Sequence, residues 1–404
     1  MNPEIRALFP GAEEQVYLDI SARALVPEPV RAAIADHLRT RMLRGGDKDA
    51  MRAVVEQTRS SFAGLIGARA DEIAITKNVS EGLNLFGASV PWEAGDNVVL
   101  CPGLEHPNNI YLWHNLARLR RIEVRSVAPG PDGGHVPVDA MSAAMDERTR
   151  LVTVPSVSFA PGFITDVKGI AAAARRVGAV TLVDAAQSIG ALRTNVEELG
   201  IDALAVATQK CLLAEYGFGF LYVRRELADT LVPVHLARFG VALDAHETAY
   251  ADGDLRYAPG ALRFDVGNYN YLGAAAAGAA LGLLEGWGVG RVERFVRRLA
   301  AALADRLAAL DLPVAGGRSG SHLAHIVCVG KSGGGRHYSA DDPAMNSLHR
   351  HLKASGIRLA IRSGVLRFSV GIYNNEEDIE RVVEAVRGWR DRAGFGWSVA
   401  TGRR

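Results

Sequence analysis

TLVDAAQS, residues 181–188, is an apolar run that ends in polar side chains, as a buried strand does where it enters a loop. A second apolar run ends in Ala207-Thr208-Gln209-Lys210. The carboxyl ends of parallel strands meet at one edge of a sheet, so we expect Asp184, Gln187 and Lys210 to converge there. A lysine amine can form a Schiff base and an aspartate can keep a pyridine nitrogen protonated, which is the chemistry that pyridoxal phosphate requires of a protein. A buried salt bridge between neighbouring strands is the alternative interpretation.

The surrounding sequence alternates strand-like and helix-like segments, which predicts an α/β fold. We expect strands at 71–76, 97–101, 123–127, 151–154, 180–184, 203–207 and 219–223, with amphipathic helices between them. This alternation is typical of a mainly parallel sheet covered by helices on both faces. We therefore predict a three-layer α/β/α large domain over residues 16–260 and a smaller α+β C-terminal domain over 261–404, completed by residues 1–15. One long helical region is expected from Leu272 to Leu310.

The composition is that of a globular enzyme with no strong attraction to charged macromolecules. The chain has 404 residues, of which 48% are hydrophobic and 23% charged, and its formal net charge is +1. We therefore expect neither a nucleic acid nor a membrane as a partner. The three cysteines lack disulfide or metal-ligand spacing, and the N-terminus lacks the pattern of a secretion signal. These features lead us to expect no metal site and a cytoplasmic location.

Short motifs spread along the chain extend this pattern beyond the two strands. They are Tyr17 to Asp19, Thr76 to Asn84, Leu104 to Asn109, Phe159 to Asp166, Val183 to Gln187, Thr208 to Val223, Arg263 to Gly267 and Leu366 to Ser369. These motifs cover most of the chain and occur in the order that the family shows. Through them the chain resembles the class V aminotransferase family of fold-type I pyridoxal-phosphate enzymes. That family includes cysteine desulfurases, selenocysteine lyases and isopenicillin N epimerase-like proteins. The resemblance implies a homodimer with shared active sites that acts on small-molecule amino-acid substrates.

Three of the candidate site residues have a physical interpretation and a simpler alternative. Ser80 precedes a predicted helix at 81–89, so its hydroxyl and the following backbone N–H groups would bind a phosphate. The simpler alternative is that the Ser80 hydroxyl only caps the helix. His106 would stack on the pyridine ring and relay protons, or would be an ordinary loop histidine. The Arg367 guanidinium suits bidentate binding of a substrate carboxylate, or a surface salt bridge.

The resemblance implies roles for the other candidate residues. Lys210 would be the Schiff-base lysine and the base that moves the substrate α-proton, with Asp184 paired to the pyridinium nitrogen and His106 as the third catalytic residue. Arg23, an unusual charge in its segment, would recognise a second acidic group of the substrate. The remaining cofactor-binding residues are expected to be Val79, Ser80, Gln187, Gln209 and, reaching the site of the partner subunit, Asn268.

Departures from the family pattern bear on the reaction. In cysteine desulfurases a catalytic cysteine lies on a loop between an Arg-x-Gly motif and the carboxylate-binding arginine. Here Arg362-Ser363-Gly364 runs almost directly into Arg367, with no cysteine between them. Cys211 is expected to pack rather than to carry a persulfide, and Phe159 suggests a more apolar pocket. We therefore expect an aminotransferase or a β-eliminating C–S lyase acting at the α-carbon; an amino-acid epimerase, a desulfurase-like enzyme and a non-catalytic binding protein are alternatives.

Overall fold

The computed structural model describes residues 3–242 and 255–393. Within them, strands form three sheets. The strands are β1 (Val16–Tyr17), β2 (Ile73–Thr76), β3 (Asn97–Leu100), β4 (Glu123–Ser126), β5 (Thr149–Pro155), β6 (Val180–Asp184), β7 (Ala203–Ala207), β8 (Gly219–Val223), β9 (Ile326–Gly330), β10 (Ile357–Arg358), β11 (Ala360–Arg362) and β12 (Val365–Ser369).

Helices account for most of the chain between these strands. They are α1 (Pro3–Arg6), α2 (Pro10–Glu14), α3 (Glu28–Arg44), α4 (Lys48–Ile66), α5 (Val79–Ser89), α6 (Asn108–Arg120), α7 (Val138–Ala143), α8 (Val167–Arg176), α9 (Val196–Leu199), α10 (Arg225–Thr230), α11 (Tyr271–Trp287), α12 (Val289–Ala308), α13 (Pro343–Ala354) and α14 (Glu376–Ala393).

The main sheet has seven strands in the order β2-β8-β7-β6-β5-β3-β4. All neighbouring strands are parallel except at β8, which runs antiparallel to both β2 and β7. Every residue of β2, β3, β7 and β8 is buried, as expected for strands covered by helices on both faces, whereas β4 at the edge is largely accessible. The prediction of a three-layer α/β/α fold with a mainly parallel sheet is therefore confirmed.

The chain divides into two compact units. The smaller unit comprises the described residues of 3–22, 160–163 and 294–393, and the larger unit comprises 23–159 and 164–293 apart from 243–254. The sequence-based boundary at residue 260 differs from this division. The reason is that α11 packs against α3 and α4, which places it in the larger unit.

The long helical region expected from Leu272 to Leu310 is two helices. Gly288, with a positive φ of 75°, ends α11, and α12 begins at the next residue with its axis turned by 81°. Glycine adopts this left-handed conformation without a steric cost, so it permits the sharp turn. Among the described residues, no single helix is long and apolar enough to cross a membrane; α11 and α12 meet that criterion only when they are counted together.

The smaller unit contains an antiparallel sheet in the order β11-β12-β9 and the short parallel pair β1-β10. A two-residue turn, Ser363-Gly364, joins β11 to β12, because Arg362 pairs directly with Val365. Both turn residues have positive φ angles, of 47° and 89°, which is the backbone geometry that tight hairpins favour. The sequence-based prediction of an α+β unit at the C-terminal end is therefore confirmed.

Candidate active site

One pocket at the carboxyl edge of the main sheet brings together most of the candidate residues. Each of them lies at the end of a strand, in the loop that follows it or in the first turn of the next helix, as the topology of a parallel sheet dictates. The pocket is lined by Asn78, Val79, Ser80, His106, Asn108, Pro155, Val157, Phe159, Asp184, Ala186, Gln187, Ala207, Gln209 and Lys210.

Asp184 is the last residue of β6 and supplies a buried carboxyl group to the pocket. Only 6% of the residue is exposed, and one carboxyl oxygen accepts a hydrogen bond of 2.9 Å from the Ala186 N–H. Burial raises the pKa of the Asp184 carboxyl, while the Ala186 N–H and the charge of Lys210 oppose the rise. A second cation bonded to this carboxylate, such as a protonated ring nitrogen, would stabilise the ionised form further.

Lys210 lies in a tight turn that directly follows β7. The Leu213 N–H donates to the Lys210 carbonyl over 2.9 Å, and Leu213 itself has a positive φ of 60°. Across the turn, the Thr208 hydroxyl donates to the carbonyl of Glu215 at 2.7 Å. On the other side, Gly190 approaches so closely that a Cβ there would lie 2.1 Å from the Cys211 carbonyl oxygen. The backbone that carries the amine is therefore fixed from both sides.

His106 has an orientation fixed by two contacts. Its Nδ1 accepts a hydrogen bond of 3.2 Å from the Asn108 N–H, so a neutral imidazole carries its proton on Nε2. The ring of Phe159 packs edge-to-face against the imidazole, with centroids 5.0 Å apart and planes at 86°. Phe159 thus forms the apolar wall that the sequence predicts.

The N-terminus of α5 supplies polar groups to the same pocket. The predicted helix start at Glu81, with Ser80 as its cap, is wrong. The helix begins at Val79 because Asn78 is the cap, its side chain accepting from the Glu81 N–H at 2.9 Å. Ser80 lies in the first turn, and its hydroxyl accepts a hydrogen bond of 2.8 Å from the Asn108 amide. The partial positive charge of a helix N-terminus suits a phosphate group at this position.

This set of groups fits pyridoxal phosphate. Asp184, buried beside a cation, matches a protonated pyridine nitrogen, and the Lys210 amine matches an aldehyde. The first turn of α5, with the Ser80 hydroxyl and the Asn108 amide, matches a phosphate. Asn108 is a lining residue that the candidate set does not include; its place two residues after His106 is the signal that would have found it.

Glu105 is a second residue that the sequence analysis does not single out. It is only 5% exposed, and among the described residues neither of its carboxyl oxygens has a hydrogen-bonding partner within 3.5 Å. Burial raises the pKa of Glu105 well above its ordinary value, and the charge of Asp184 adds to the rise. Because both effects depend on packing between distant parts of the chain, nothing in the sequence except its position next to His106 indicates them.

The remaining candidate residues lie outside this pocket. Asn268 lines a separate pocket of the larger unit, and Arg23 is exposed at the start of that unit. Arg367 belongs to the smaller unit, where its side chain is 1% exposed and lies 3.8 Å from an Asp19 carboxyl oxygen. Burial lowers the pKa of Arg367 to about 10, and the charge of Arg362 contributes.

The segment that carries Asn268 is anchored by a buried ion pair. Arg59 and Asp265, each 1% exposed, are 2.9 Å apart, and the Tyr269 hydroxyl donates to the same carboxylate at 2.7 Å. The other Asp265 oxygen accepts from the Ile75 N–H in β2 at 2.8 Å. This network fixes both ends of residues 265–269, so the position of Asn268 follows from buried contacts.

All three cysteines are free and buried. Burial raises the pKa of the Cys101 thiol to about 11 and that of the Cys211 and Cys328 thiols to about 12. The two-residue turn between β11 and β12 replaces the cysteine loop that desulfurases carry there. Neither observation favours a nucleophilic thiol.

Comparisons with known proteins identify the family. The family model described as "Aminotransferase class-V" matches residues 16–382. A probable cysteine desulfurase of Methanothermobacter thermautotrophicus is 34% identical over 313 residues, 76% of each chain. An uncharacterized aminotransferase of Bacillus subtilis, YcbU, is 30% identical over 383 residues, 95% of this chain and 96% of that protein.

Solved structures show the same fold. The apo cysteine desulfurase of Thermococcus onnurineus NA1 is 26% identical and superposes with a TM-score of 0.83 over 96% of this chain and 98% of its own. The cystine C–S lyase C-DES in complex with cysteine persulfide, at 20% identity, superposes with a TM-score of 0.80 over 93% of this chain and 98% of its own. The chain therefore belongs to the class V aminotransferase family of fold-type I, pyridoxal-phosphate-dependent enzymes.

Proposed function

We propose that this enzyme acts at the α-carbon of an amino acid as an aminotransferase or a β-eliminating C–S lyase, without a persulfide on the protein. The observation that carries this proposal is the pocket that the buried Asp184 and the partly exposed Lys210 both line, while all three thiols are buried outside it. Pyridoxal phosphate supplies an electron sink there, which makes the substrate α-proton acidic.

We assign the proton transfers to Lys210 and His106. The fixed turn holds Lys210 at the pocket, where its amine would bind the cofactor and would serve as the base for the proton of the substrate α-carbon. His106 would stack on the ring of the cofactor, and its neutral imidazole carries a proton on Nε2 that it could donate. Asp184 would pair with the ring nitrogen and keep it protonated, and the positive charge of that nitrogen would oppose the rise that burial causes in the pKa of the Asp184 carboxyl.

The other polar groups bind and orient. Val79 and Ser80 in the first turn of α5, together with Gln209, would hold the phosphate, and Gln187 would donate to the phenolic oxygen of the ring. Asn268 would reach the phosphate of the partner's site, which fits its absence from the pocket of its own chain. Arg367 would bind the substrate carboxylate, and Arg23 would meet a second acidic group.

A persulfide-forming desulfurase is the second candidate because several relatives bear that name. The local chemistry of this chain disfavours it. A thiol with a pKa near 12 is almost entirely protonated at neutral pH and is a poor nucleophile. We also propose that the enzyme is a homodimer in the cytoplasm, where its three free cysteines stay reduced.

The test is the visible absorption spectrum of the purified enzyme, before and after mixing with a panel of amino acids. A cofactor band that disappears as a 2-oxo acid is released would identify an aminotransferase. A band that persists while ammonia, pyruvate or a thiol accumulates would identify a lyase. A protein with no band even after addition of pyridoxal phosphate would contradict the proposal.

A further inference from the structure

Two arginines of the smaller unit lie on the same face of a sheet. In the β11–β12 hairpin, Arg362 pairs with Val365 and Ala360 pairs with Arg367. Because the residues of a cross-strand pair point to one face, and residues two apart on a strand share a face, Arg362 and Arg367 are diagonal neighbours. Diagonal neighbours are roughly 7 to 8 Å apart. Two like charges at this spacing repel each other unless an anion lies between or beside them.

The charge around this pair is unbalanced. A carboxyl oxygen of Asp19 lies 3.8 Å from the Arg367 guanidinium. In residues 3–242 and 255–393, Arg362 forms no ion pair and donates only to the carbonyl of its neighbour Ile361, at 2.8 Å. Burial, followed by the charges of Arg362 and Arg367, lowers the pKa of the nearby His337. Among the residues that the structure describes, the half-buried Arg362 guanidinium therefore has no carboxylate to neutralise it.

A glycine-rich loop, residues 331–339, holds this guanidinium in place. The Gly333 N–H donates to the Ser363 carbonyl at 2.9 Å, and a Cβ on Gly364 would lie 2.4 Å from the Gly334 carbonyl carbon. Only glycines allow the loop to lie this close to the hairpin turn. The loop brings the ring of Tyr338 to 4.9 Å from the Arg362 guanidinium, which is a cation–π distance.

We propose that Arg362, held over Tyr338, binds a second carboxylate of the substrate while Arg367 binds the first, so that the substrate is a dicarboxylic amino acid. This inference rests on the proposed function, because it takes the role of Arg367 from it. Arginine is suited to the task because its planar guanidinium binds a carboxylate through two parallel hydrogen bonds. Tyr338, which is 72% exposed, orients the guanidinium through its ring and contributes no charge.

The test measures binding of two probes to the holoenzyme by isothermal titration calorimetry. Glutarate carries two carboxylates, and butyrate is the same molecule with one carboxylate replaced by hydrogen. We expect glutarate to bind at least about tenfold more tightly, a difference of about 1.4 kcal/mol. Arg362→Gln should abolish this preference by lowering the affinity for glutarate to that for butyrate. Arg350→Gln, a charge removal at an exposed position of α13, should preserve the preference.

Three results of these binding measurements would contradict the inference. Equal affinities of the wild-type enzyme for the two probes would overturn it without recourse to any variant. So would an Arg362→Gln enzyme that loses affinity equally for both, or a preference that disappears in Arg23→Gln and survives in Arg362→Gln. The cofactor absorbance is recorded on the same samples. A normal band with no preference for glutarate overturns this inference alone, whereas absence of the band overturns the proposed function as well.

Discussion

Replacement of Cys211 by alanine should leave amino-acid turnover intact, because its thiol is too rarely ionised to act as a nucleophile. Burial raises the pKa of this thiol to about 12. At pH 8 about one Cys211 side chain in ten thousand is then a thiolate, against about one in four for an ordinary cysteine of pKa 8.5. The residue is also only 3% exposed. Alkylation of Cys211 should therefore be more than about a thousandfold slower than alkylation of an exposed cysteine.

The assay is iodoacetamide labelling followed by peptide mass spectrometry, on the native holoenzyme and on the enzyme in urea. Cys101 and Cys328 serve as internal comparisons, because burial raises the pKa of each to about 11 and about 12. In urea all three should react at the rate of an ordinary thiol. The reasoning is refuted if native Cys211 reacts at that rate. It is equally refuted if Cys211→Ala loses turnover while its cofactor band is normal, which would restore the desulfurase candidate.

Three further predictions concern stability, each measured by urea unfolding. Gly190→Ala should lower the free energy of unfolding by more than about 4 kcal/mol, because its Cβ would lie 2.1 Å from the Cys211 carbonyl oxygen and its φ is 95°. The control Gly178→Ala, at a φ of 76° with open space around it, should lower it by about 1 to 2 kcal/mol. Equal losses in the two variants would contradict the packing argument. Asp265→Asn should cost about 3 to 5 kcal/mol, because it removes the buried charge that faces Arg59 and leaves only the more exposed Glu56 to pair with it; Glu28→Gln, in the exposed pair with Arg31, should cost less than about 1. Glu105→Gln should gain stability relative to the wild type as pH rises from 5 to 8. In the wild type the folded Glu105 carboxyl, with its raised pKa, retains a proton that the unfolded chain releases above about pH 4.3. The contribution of Glu105 to the stability of the wild type therefore falls as pH increases. A difference between variant and wild type that does not change with pH would show that Glu105 ionises normally.

The sequence predicts the central strands well because their environment is simple. The predicted ranges 180–184, 203–207 and 219–223 agree with β6, β7 and β8. A strand buried on both faces needs a continuous apolar run, and such a run is visible in a single sequence. The convergence of Asp184, Gln187 and Lys210 on one pocket follows from the parallel arrangement of β6 with its neighbours, and it is confirmed by the geometry.

Features that depend on packing between distant segments are not predictable in this way. The break at Gly288 looks like any other glycine in a helical region, and the position of α11 in the larger unit arises from its contacts with α3 and α4. The buried Glu105 carboxyl acquires its raised pKa from its surroundings. The diagonal placement of Arg362 and Arg367 depends on the two-residue turn at Ser363-Gly364, since one more residue in the turn would move Arg362 to the other face.

The most direct test of the account is to find which lysine carries the cofactor. The holoenzyme is reduced with borohydride, digested and mapped by mass spectrometry, with Lys210→Ala treated in parallel. We predict that the cofactor mass is found on the peptide containing Lys210 and that the variant shows no covalent label, although its pocket still retains Asp184 and the N-terminus of α5. A label on another lysine, or an unchanged visible band and full turnover in Lys210→Ala, would contradict the central claim.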